Sequence, residues 1–418
     1  MNNFISKGRL ITLGLALIFM PFSVQLCHWS LLLFIMTCLL EGNFREKGKL
    51  FIDNPLAWIL PSFFLLHVAG LLYTGNIANG WANLDKKIAF VLAPAIIVTA
   101  HPFGKKDLER LAWVFVGGCV AATAICLINA FITSSSGQPM WNFGPQQPYI
   151  ELHPGASPLW TYFSYTGLAS GIGIHPTYFA LYLYVCMLVV IRLGGRMAPA
   201  LITYLVIFIV LLSSRIIVLV TVFTIVGAIV GRKYWLVGAG ALAVIAFTLF
   251  LNPVAQYRNT QEYTKQNFNW PPAAFSNNPI SIRTSLWWLS LRAVQEVNPV
   301  VGEGTGDVND TMVRLADKFD VHNVLNTSDP HNQYLHTFIA LGAAGLVMLF
   351  AVFLVPLRIL FRQRELLACA GLISFMFVCM TESALELQKG IVLFSLFVGL
   401  TGNAARYWRF STPDLKYA

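Results

Sequence analysis

Residues 335–357 read LHTFIALGAAGLVMLFAVFLVPL, an apolar stretch without Asp, Glu, Lys or Arg. About 20 such residues match the thickness of a bilayer core, so this stretch predicts a transmembrane helix. The whole chain has the same character, since 56% of its 418 residues are hydrophobic and 11% are charged. Soluble domains carry roughly 25% charged residues. The sequence therefore predicts an all-α polytopic integral membrane protein and excludes a soluble, disordered or disulfide-scaffold protein.

We predict about twelve transmembrane helices, with a large and partly helical external loop before the tenth. The predicted spans are residues 10–26, 28–41, 56–73, 88–101, 111–133, 175–191, 198–213, 216–231, 235–252, 335–357, 366–380 and 390–405. They divide the chain into three regions. These are a bundle of about nine helices over 1–252 with an external loop at 134–174, the large loop over 253–334, and three helices with a tail over 335–418.

The charges predict the orientation and argue against two other classes. Most of the 28 Lys and Arg residues fall in short segments on one side, which places both termini in the cytoplasm. The net charge of +9 is spread between apolar blocks and forms no cationic face, so nucleic acid is not a predicted partner. No charged residue falls in the middle of a predicted span. This disfavours a transporter or flippase, which stays the less favoured alternative.

The seven cysteines predict no site. They lie in or beside apolar segments, and their spacing fits neither a disulfide framework nor a zinc site. We interpret them as packed hydrophobic residues.

Lys and Arg are expected mainly in cytoplasmic loops, and we call this expectation the orientation rule. Four cations on the predicted external side run against it, namely Lys86, Lys87, Arg215 and Lys389. A cation at the outer face needs an anionic partner, either a lipid phosphate or a phosphorylated substrate. Arg215 is the most informative, because the tight hairpin Ser213-Ser214-Arg215 fixes its side chain. The alternative is an arginine that snorkels or sets the topology.

The large external loop contains a predicted amphipathic helix over residues 281–294, which follows Pro279 and begins with Ser281 as N-cap. Arg283 then lies in the first turn, where free N–H groups and the helix dipole favour an anion. The alternative is an exposed arginine on the polar face. Arg292, on the same helix, is a weaker candidate. The following residues 299–306, PVVGEGTG, lack the end of a P-loop and predict a tight turn.

His331 begins the sequence HNQYLH that leads into the tenth span. A neutral imidazole at this position can take a proton from a sugar hydroxyl, and a helix N-terminus favours the neutral form. The alternative is an interfacial or capping histidine. Asn332 is a weaker candidate for substrate binding, and His336 is interpreted as a packed residue. The acidic residues of the loop are interpreted as solvated surface, namely Asp307, Asp310, Asp317, Asp320 and Asp329.

These motifs, in this order and on this face, resemble the O-antigen ligase family of bacterial envelope enzymes, which includes O-antigen polymerases. The matching pieces are the hairpin Ser-Ser-Arg215, Arg283-Thr-Ser-Leu-Trp, the glycine turn, and His331-Asn-Gln-Tyr-Leu with the following Leu341-Gly342-Ala-Ala-Gly345-Leu346. The specific resemblance covers about residues 200–360. It implies a membrane glycosyltransferase of the type C-like class in the bacterial inner membrane, with its active site facing the periplasm.

The resemblance also implies the chemistry. Arg215 and Arg283 would bind the pyrophosphate of an undecaprenyl-pyrophosphate-linked glycan, and His331 would deprotonate the acceptor hydroxyl on the lipid A core, with inversion at the anomeric carbon. Lys86 and Lys87, because of their position against the orientation rule, and Arg292 and Asn332 are weaker candidates for further phosphate contacts. The first external loop, residues 25–28, has no carboxylate, so we predict no metal, and we predict no other cofactor.

Three questions stay open at this point. The ligase is the preferred function, and a polymerase that extends a lipid-linked glycan is the alternative. The oligomeric state is not predicted. In the loop 134–174, aromatic residues such as Trp141, Trp160, Tyr162 and Tyr165 fit a glycan contact and a membrane anchor equally well.

Overall fold

The structure, a computed structural model, describes residues 3–136, 158–230, 279–321 and 329–411, together with residues 240, 242, 245, 246 and 252. All regular secondary structure in this part of the chain is helical. The α-helices are α1 (Asn3–Phe19), α2 (Val24–Leu40), α3 (Phe44–Asp53), α4 (Pro55–Gly70), α5 (Ile77–Lys87), α6 (Ala89–Thr99), α7 (Lys105–Ser136), α8 (Pro158–Tyr162), α9 (Tyr165–Ala169), α10 (Pro176–Leu193), α11 (Ala198–Leu211), α12 (Arg215–Val230), α13 (Pro279–Glu296), α14 (Val308–Lys318), α15 (Gln333–Arg362), α16 (Leu366–Val378) and α17 (Gln388–Ser411).

Each predicted span that the structure describes overlaps a helix, but the first span, 10–26, does not match one helix, because α1 ends at Phe19 and α2 begins at Val24. Most of the ninth span, 235–252, and much of the loop 134–174 lie outside the described residues. Among the described residues, three helices are able to cross a membrane by length and composition, namely Lys105–Ser135, Pro176–Leu193 and Gln333–Arg362, and the bent pair α2–α3 makes a fourth if it is one span. Helices α4, α11, α12 and α16 are apolar but shorter. The all-helical class with apolar helices is therefore confirmed, and the number of about twelve spans stays a prediction.

The chain divides into two compact units, and the first combines residues Met1–Glu41 with Gly104–Gln261. Its helices α1 and α2 form a hairpin, and a buried ion pair joins Arg9 near its beginning to Glu41 at its end. Helix α1 also packs on α7, which contacts α10, and α10 contacts α11 and α12. Helix α10 is largely enclosed, because most of its side chains are buried.

The second unit combines residues Gly42–Phe103 with Glu262–Ala418. This grouping differs from the predicted regions, since α3–α6 join the C-terminal helices. The reason is packing: α6 lies against α17, and α4 contacts both α6 and α15. Buried Asn403 of α17 strengthens this contact. Its side chain donates to the carbonyl of Ile97, 2.7 Å away, and accepts from the N–H of Phe103 at 2.9 Å.

Helix α15 is broken at Gly342, where φ is +59° and ψ is −155°. The glycine turn 299–306 fills this break with backbone hydrogen bonds. The N–H groups of Ala343 and Ala344 donate to carbonyls of the turn, which are those of Pro299 and Val300, at 2.8 and 3.1 Å. In return, the carbonyls of residues 339 and 340 accept from the N–H groups of residues 303 and 304, both at 2.9 Å. The turn predicted from sequence is confirmed, and it supplies partners to an interrupted apolar helix, as a membrane segment requires.

Asp307 and Asp329, which were interpreted from the sequence as solvated surface, have structural contacts instead. The carboxylate of Asp307 accepts from the hydroxyl of Thr74 at 2.8 Å and from the N–H groups of Gly75 and Asn76 at 2.8 and 2.6 Å. Asp329 accepts from the N–H of His331, as described below. The interpretation is wrong for these two residues, because a carboxylate beside free backbone N–H groups is more stable bound to them than solvated.

Candidate functional site

His331 lies at the end of the segment that precedes α15, in a backbone conformation that is uncommon for a residue with a side chain. Its φ is +47°. The side chain of Asp329 holds this turn, because its Oδ1 accepts from the N–H of His331 at 2.7 Å and from the hydroxyl of Ser383. Histidine tolerates this region better than bulkier residues do, and such conformations are frequent at functional sites.

Glu382 joins two of the predicted site residues. Its Oε2 lies 3.2 Å from His331 Nδ1, and its Oε1 accepts a hydrogen bond of 2.7 Å from Arg283 Nη2. The side chain of Glu382 is only 7% exposed, whereas those of His331 and Arg283 are 30% and 32% exposed. The carboxylate is therefore enclosed, and the imidazole and the guanidinium both reach the surface beside it. We call these three residues the His331 triad.

The triad raises the pKa of His331. Burial lowers this pKa, but the hydrogen bond and the charge of Glu382, together with the charge of Asp329, outweigh burial and the opposing charge of Arg283. The sequence-based expectation of a histidine biased toward its neutral form is therefore wrong. That expectation considered only the helix dipole and omitted a carboxylate that lies about 50 residues further along the chain.

The geometry also selects a tautomer. A neutral His331 that donates its Nδ1 proton to Glu382 presents Nε2 as an acceptor. In this arrangement a carboxylate orients the imidazole and stabilises the imidazolium that forms when Nε2 takes a proton. The triad can therefore act as an oriented general base next to a cation.

Helix α13 begins at Pro279, two residues before the predicted N-cap Ser281. Arg283 consequently lies beyond the first turn, so the helix dipole contributes less to anion binding there than predicted. A guanidinium has five N–H donors, so Arg283 can bind Glu382 and an anion at the same time.

Asn332 and Arg292, two predicted phosphate contacts in the second unit, have protein partners. Asn332 is the N-cap of α15, where its Oδ1 accepts from the N–H groups of Tyr334 and Leu335 at 3.0 and 3.1 Å. Arg292 lies over the ring of Trp288, with its guanidinium carbon 5.2 Å from the ring centre. These contacts give both residues structural roles.

The two adjacent lysines of α5 differ in their surroundings. Lys86 donates to the side chain of Asn83 at 3.3 Å. Lys87 is fully buried and forms an ion pair with Glu386, which also lies 3.3 Å from Nδ1 of buried His336. The charge of Lys87 is thus already balanced inside the protein, whereas His336 is packed as predicted.

Arg215 belongs to the first unit, where it begins α12 directly after the hairpin predicted from the sequence. The hairpin residues Ser213 and Ser214 are buried, and Ser213 has a φ of +50°. The backbone of the tip is therefore constrained, and the fixed guanidinium of Arg215 stays a prediction.

Sequence reasoning missed Glu382 and Glu386. Both lie in the short segment between α16 and α17, next to Lys389, which was noted only for its charge. Two carboxylates four residues apart, in a short segment flanked by apolar helices, were the available signal, since such residues are rare near a membrane without a partner. Among the described residues, no three His, Cys, Asp or Glu side chains group so that they could hold a metal ion.

Comparison with known proteins agrees with these motifs. Residues 199–350 match the model of a family described as O-Antigen ligase. The matched part contains Arg215, Arg283 and His331, and it ends before Glu382. No curated protein matches the chain. Together with the apolar helices, the family match supports a membrane enzyme of the O-antigen ligase or polymerase type. Residues 199–350 are therefore similar to the O-antigen ligase family.

Proposed function

We propose that the protein is an O-antigen ligase that transfers a glycan from undecaprenyl pyrophosphate to a sugar hydroxyl of the lipid A core. The reaction takes place at the periplasmic face of a bacterial inner membrane, and both termini are cytoplasmic. The observation that supports this most strongly is the His331 triad, which combines an oriented imidazole with a partly exposed guanidinium. The family match over residues 199–350 supports the substrate class.

His331 acts as the general base. Its Nε2 takes the proton of the acceptor hydroxyl while the hydroxyl oxygen forms a bond to the anomeric carbon of the donor. The bond from that carbon to the pyrophosphate oxygen breaks, and the pyrophosphate leaves with the electron pair. Attack opposite the leaving group inverts the anomeric carbon. Glu382 stabilises the imidazolium that results, and general-base catalysis of this kind contributes about 10²–10⁴-fold to a rate.

Arg283 binds the pyrophosphate. A pyrophosphate is a good leaving group whose negative charge grows during the reaction, so a fixed guanidinium stabilises the transition state more than the ground state. The pairing of Arg283 with Glu382 supports this role, because it holds the guanidinium in place while its remaining donors stay available. Arg215 is proposed as a further phosphate contact, on its sequence position and its constrained hairpin.

The test uses purified protein, undecaprenyl-pyrophosphate glycan and rough lipopolysaccharide, with a chelator of divalent metal present. Glycan covalently attached to the lipid A core is the expected product. Glycan lengthened on its own lipid carrier would replace the ligase proposal with the polymerase. Arg215→Lys and Arg283→Lys keep the charge but lose the planar guanidinium, and we expect each to reduce kcat/KM for the donor.

A further inference from the structure

Gln333 connects the beginning of α15 to the segment between α16 and α17. It is fully buried. Its backbone N–H donates to the carbonyl of Cys379 at 2.8 Å, and its side-chain Oε1 accepts from the N–H of Leu385 at 2.8 Å. Its Nε2 donates to Thr337 Oγ1 at 3.1 Å and to Glu386 Oε1 at 2.9 Å. Both amide protons and the amide oxygen of this side chain are therefore engaged.

The ion pair of Lys87 and Glu386 supports this glutamine. The side chain of Lys87 is 0% exposed and that of Glu386 is 8% exposed. Burial raises the pKa of Glu386, but the charges of His336 and Lys87 outweigh burial, so the pKa lies below its usual range. Glu386 therefore remains a carboxylate that can accept the hydrogen bond from Gln333. A buried charge without a partner would be costly at this position.

Gln333 is hydrogen-bonded to residues that precede and follow Glu382 along the chain. Its partners Cys379 and Leu385 lie on either side of Glu382, and His331 is two residues before Gln333. Fixing Gln333 against these two points therefore sets the register between the histidine and its carboxylate. The contact of 3.2 Å between His331 and Glu382 depends on that register.

We propose that Gln333, supported by the Lys87–Glu386 ion pair, is a positioning residue that holds the imidazole of His331 against Glu382. This proposal rests on the proposed function for its effect on catalysis. It also gives Lys87 a different role from the phosphate contact predicted from its position in the sequence. Lys87 acts from inside the protein, by keeping Glu386 charged and in place.

The first test is Gln333→Leu, which has a similar volume but no hydrogen-bonding groups. A misplacement of about 1 Å costs on the order of 10²-fold in rate, so we expect kcat to fall by that factor while KM for the donor stays unchanged. Gln363→Leu is the matched control, since Gln363 follows the other end of α15 and its Nε2 makes no hydrogen bond to the described residues.

A second readout follows the triad without any glycan transfer. Diethyl pyrocarbonate acylates neutral imidazole, so the pH midpoint of His331 acylation, measured by peptide mass, reports how strongly Glu382 holds it. We expect this midpoint to move to lower pH in Gln333→Leu, toward the value in Glu382→Gln. An unchanged midpoint in a folded Gln333→Leu protein would overturn the proposal. If the wild type transfers no glycan, the proposed function fails, whereas this midpoint still tests the positioning.

The double variant Lys87→Met/Glu386→Gln distinguishes a phosphate contact of Lys87 from its support of Gln333. It removes both charges of the buried ion pair together. The amide oxygen introduced by Glu386→Gln replaces the carboxylate as an acceptor for Gln333. We expect a smaller decrease in kcat than in Gln333→Leu and an unchanged KM for the donor. A higher donor KM, with the His331 midpoint of the wild type, would identify Lys87 as a phosphate contact and overturn the positioning role.

Discussion

Replacing Gly342 by alanine tests whether the glycine turn is built into the break of α15. The backbone of Gly342 lies in a region open essentially to glycine alone, so a side chain there costs about 1–3 kcal/mol. An added Cβ would also lie 2.4 Å from the carbonyl carbon of Val300, so the turn would have to move away. Four crossing hydrogen bonds would be lost and two helical ones regained, a net loss of about 2 kcal/mol. The two helical hydrogen bonds form only if residue 342 becomes helical, which removes the backbone strain, so the two costs are alternatives and the expected destabilisation is about 2 kcal/mol.

The assay is thermal unfolding in detergent, followed by tryptophan fluorescence. From the usual unfolding entropy per residue, the midpoint should fall by about 2–3 °C. Gly117→Ala in α7 is the matched control, because a Cβ at Gly117 meets open space and alanine favours a helix. A midpoint for Gly342→Ala equal to that of the wild type would refute the account of the break.

Two further substitutions test the electrostatics. Glu382→Gln removes the charge that raises the pKa of His331. We therefore expect kcat to fall by about 10²–10⁴-fold and the acid limb of the pH–rate profile to move to lower pH. A shift of this limb to higher pH would contradict the contact between Glu382 and His331. Asp307→Asn replaces one carboxylate oxygen by an NH₂ group, which then faces a donor such as the hydroxyl of Thr74 or the N–H of Asn76. We expect the free energy of unfolding, measured by chemical denaturation, to fall by about 2–4 kcal/mol. The control Asp85→Asn changes an exposed residue and should have little effect. Equal stability of these two variants would argue against the role of Asp307.

The apolar helices were predictable because hydrophobic length is a local property of the chain. The break at Gly342 was not predictable, because a glycine within an apolar stretch does not by itself indicate a break. Its conformation depends on backbone groups of residues 299–304, which lie about 40 positions earlier. The helix α3 (Phe44–Asp53) was also missed, since its charged residues were interpreted only as a cytoplasmic loop.

The candidate site also combines residues with a local signal in the sequence and residues whose contacts come from distant segments. His331 and Arg283 could be chosen as candidates because each stands beside a local signal, a helix start or an amphipathic pattern. Glu382 and the Gln333 contacts depend on pairing between distant segments, and one sequence does not reveal such pairing. Asn332 was assigned to substrate although the sequence pattern also fits an N-cap, which is the role that the structure gives it.

The most direct test of the central claim compares the wild type with His331→Ala in glycan transfer to rough lipopolysaccharide. We expect a loss of at least about 10²-fold in kcat for His331→Ala, with an unfolding midpoint close to that of the wild type. His101→Ala, an exposed histidine between α6 and α7, should retain full activity. Transfer by a folded His331→Ala protein at the wild-type rate would contradict the account.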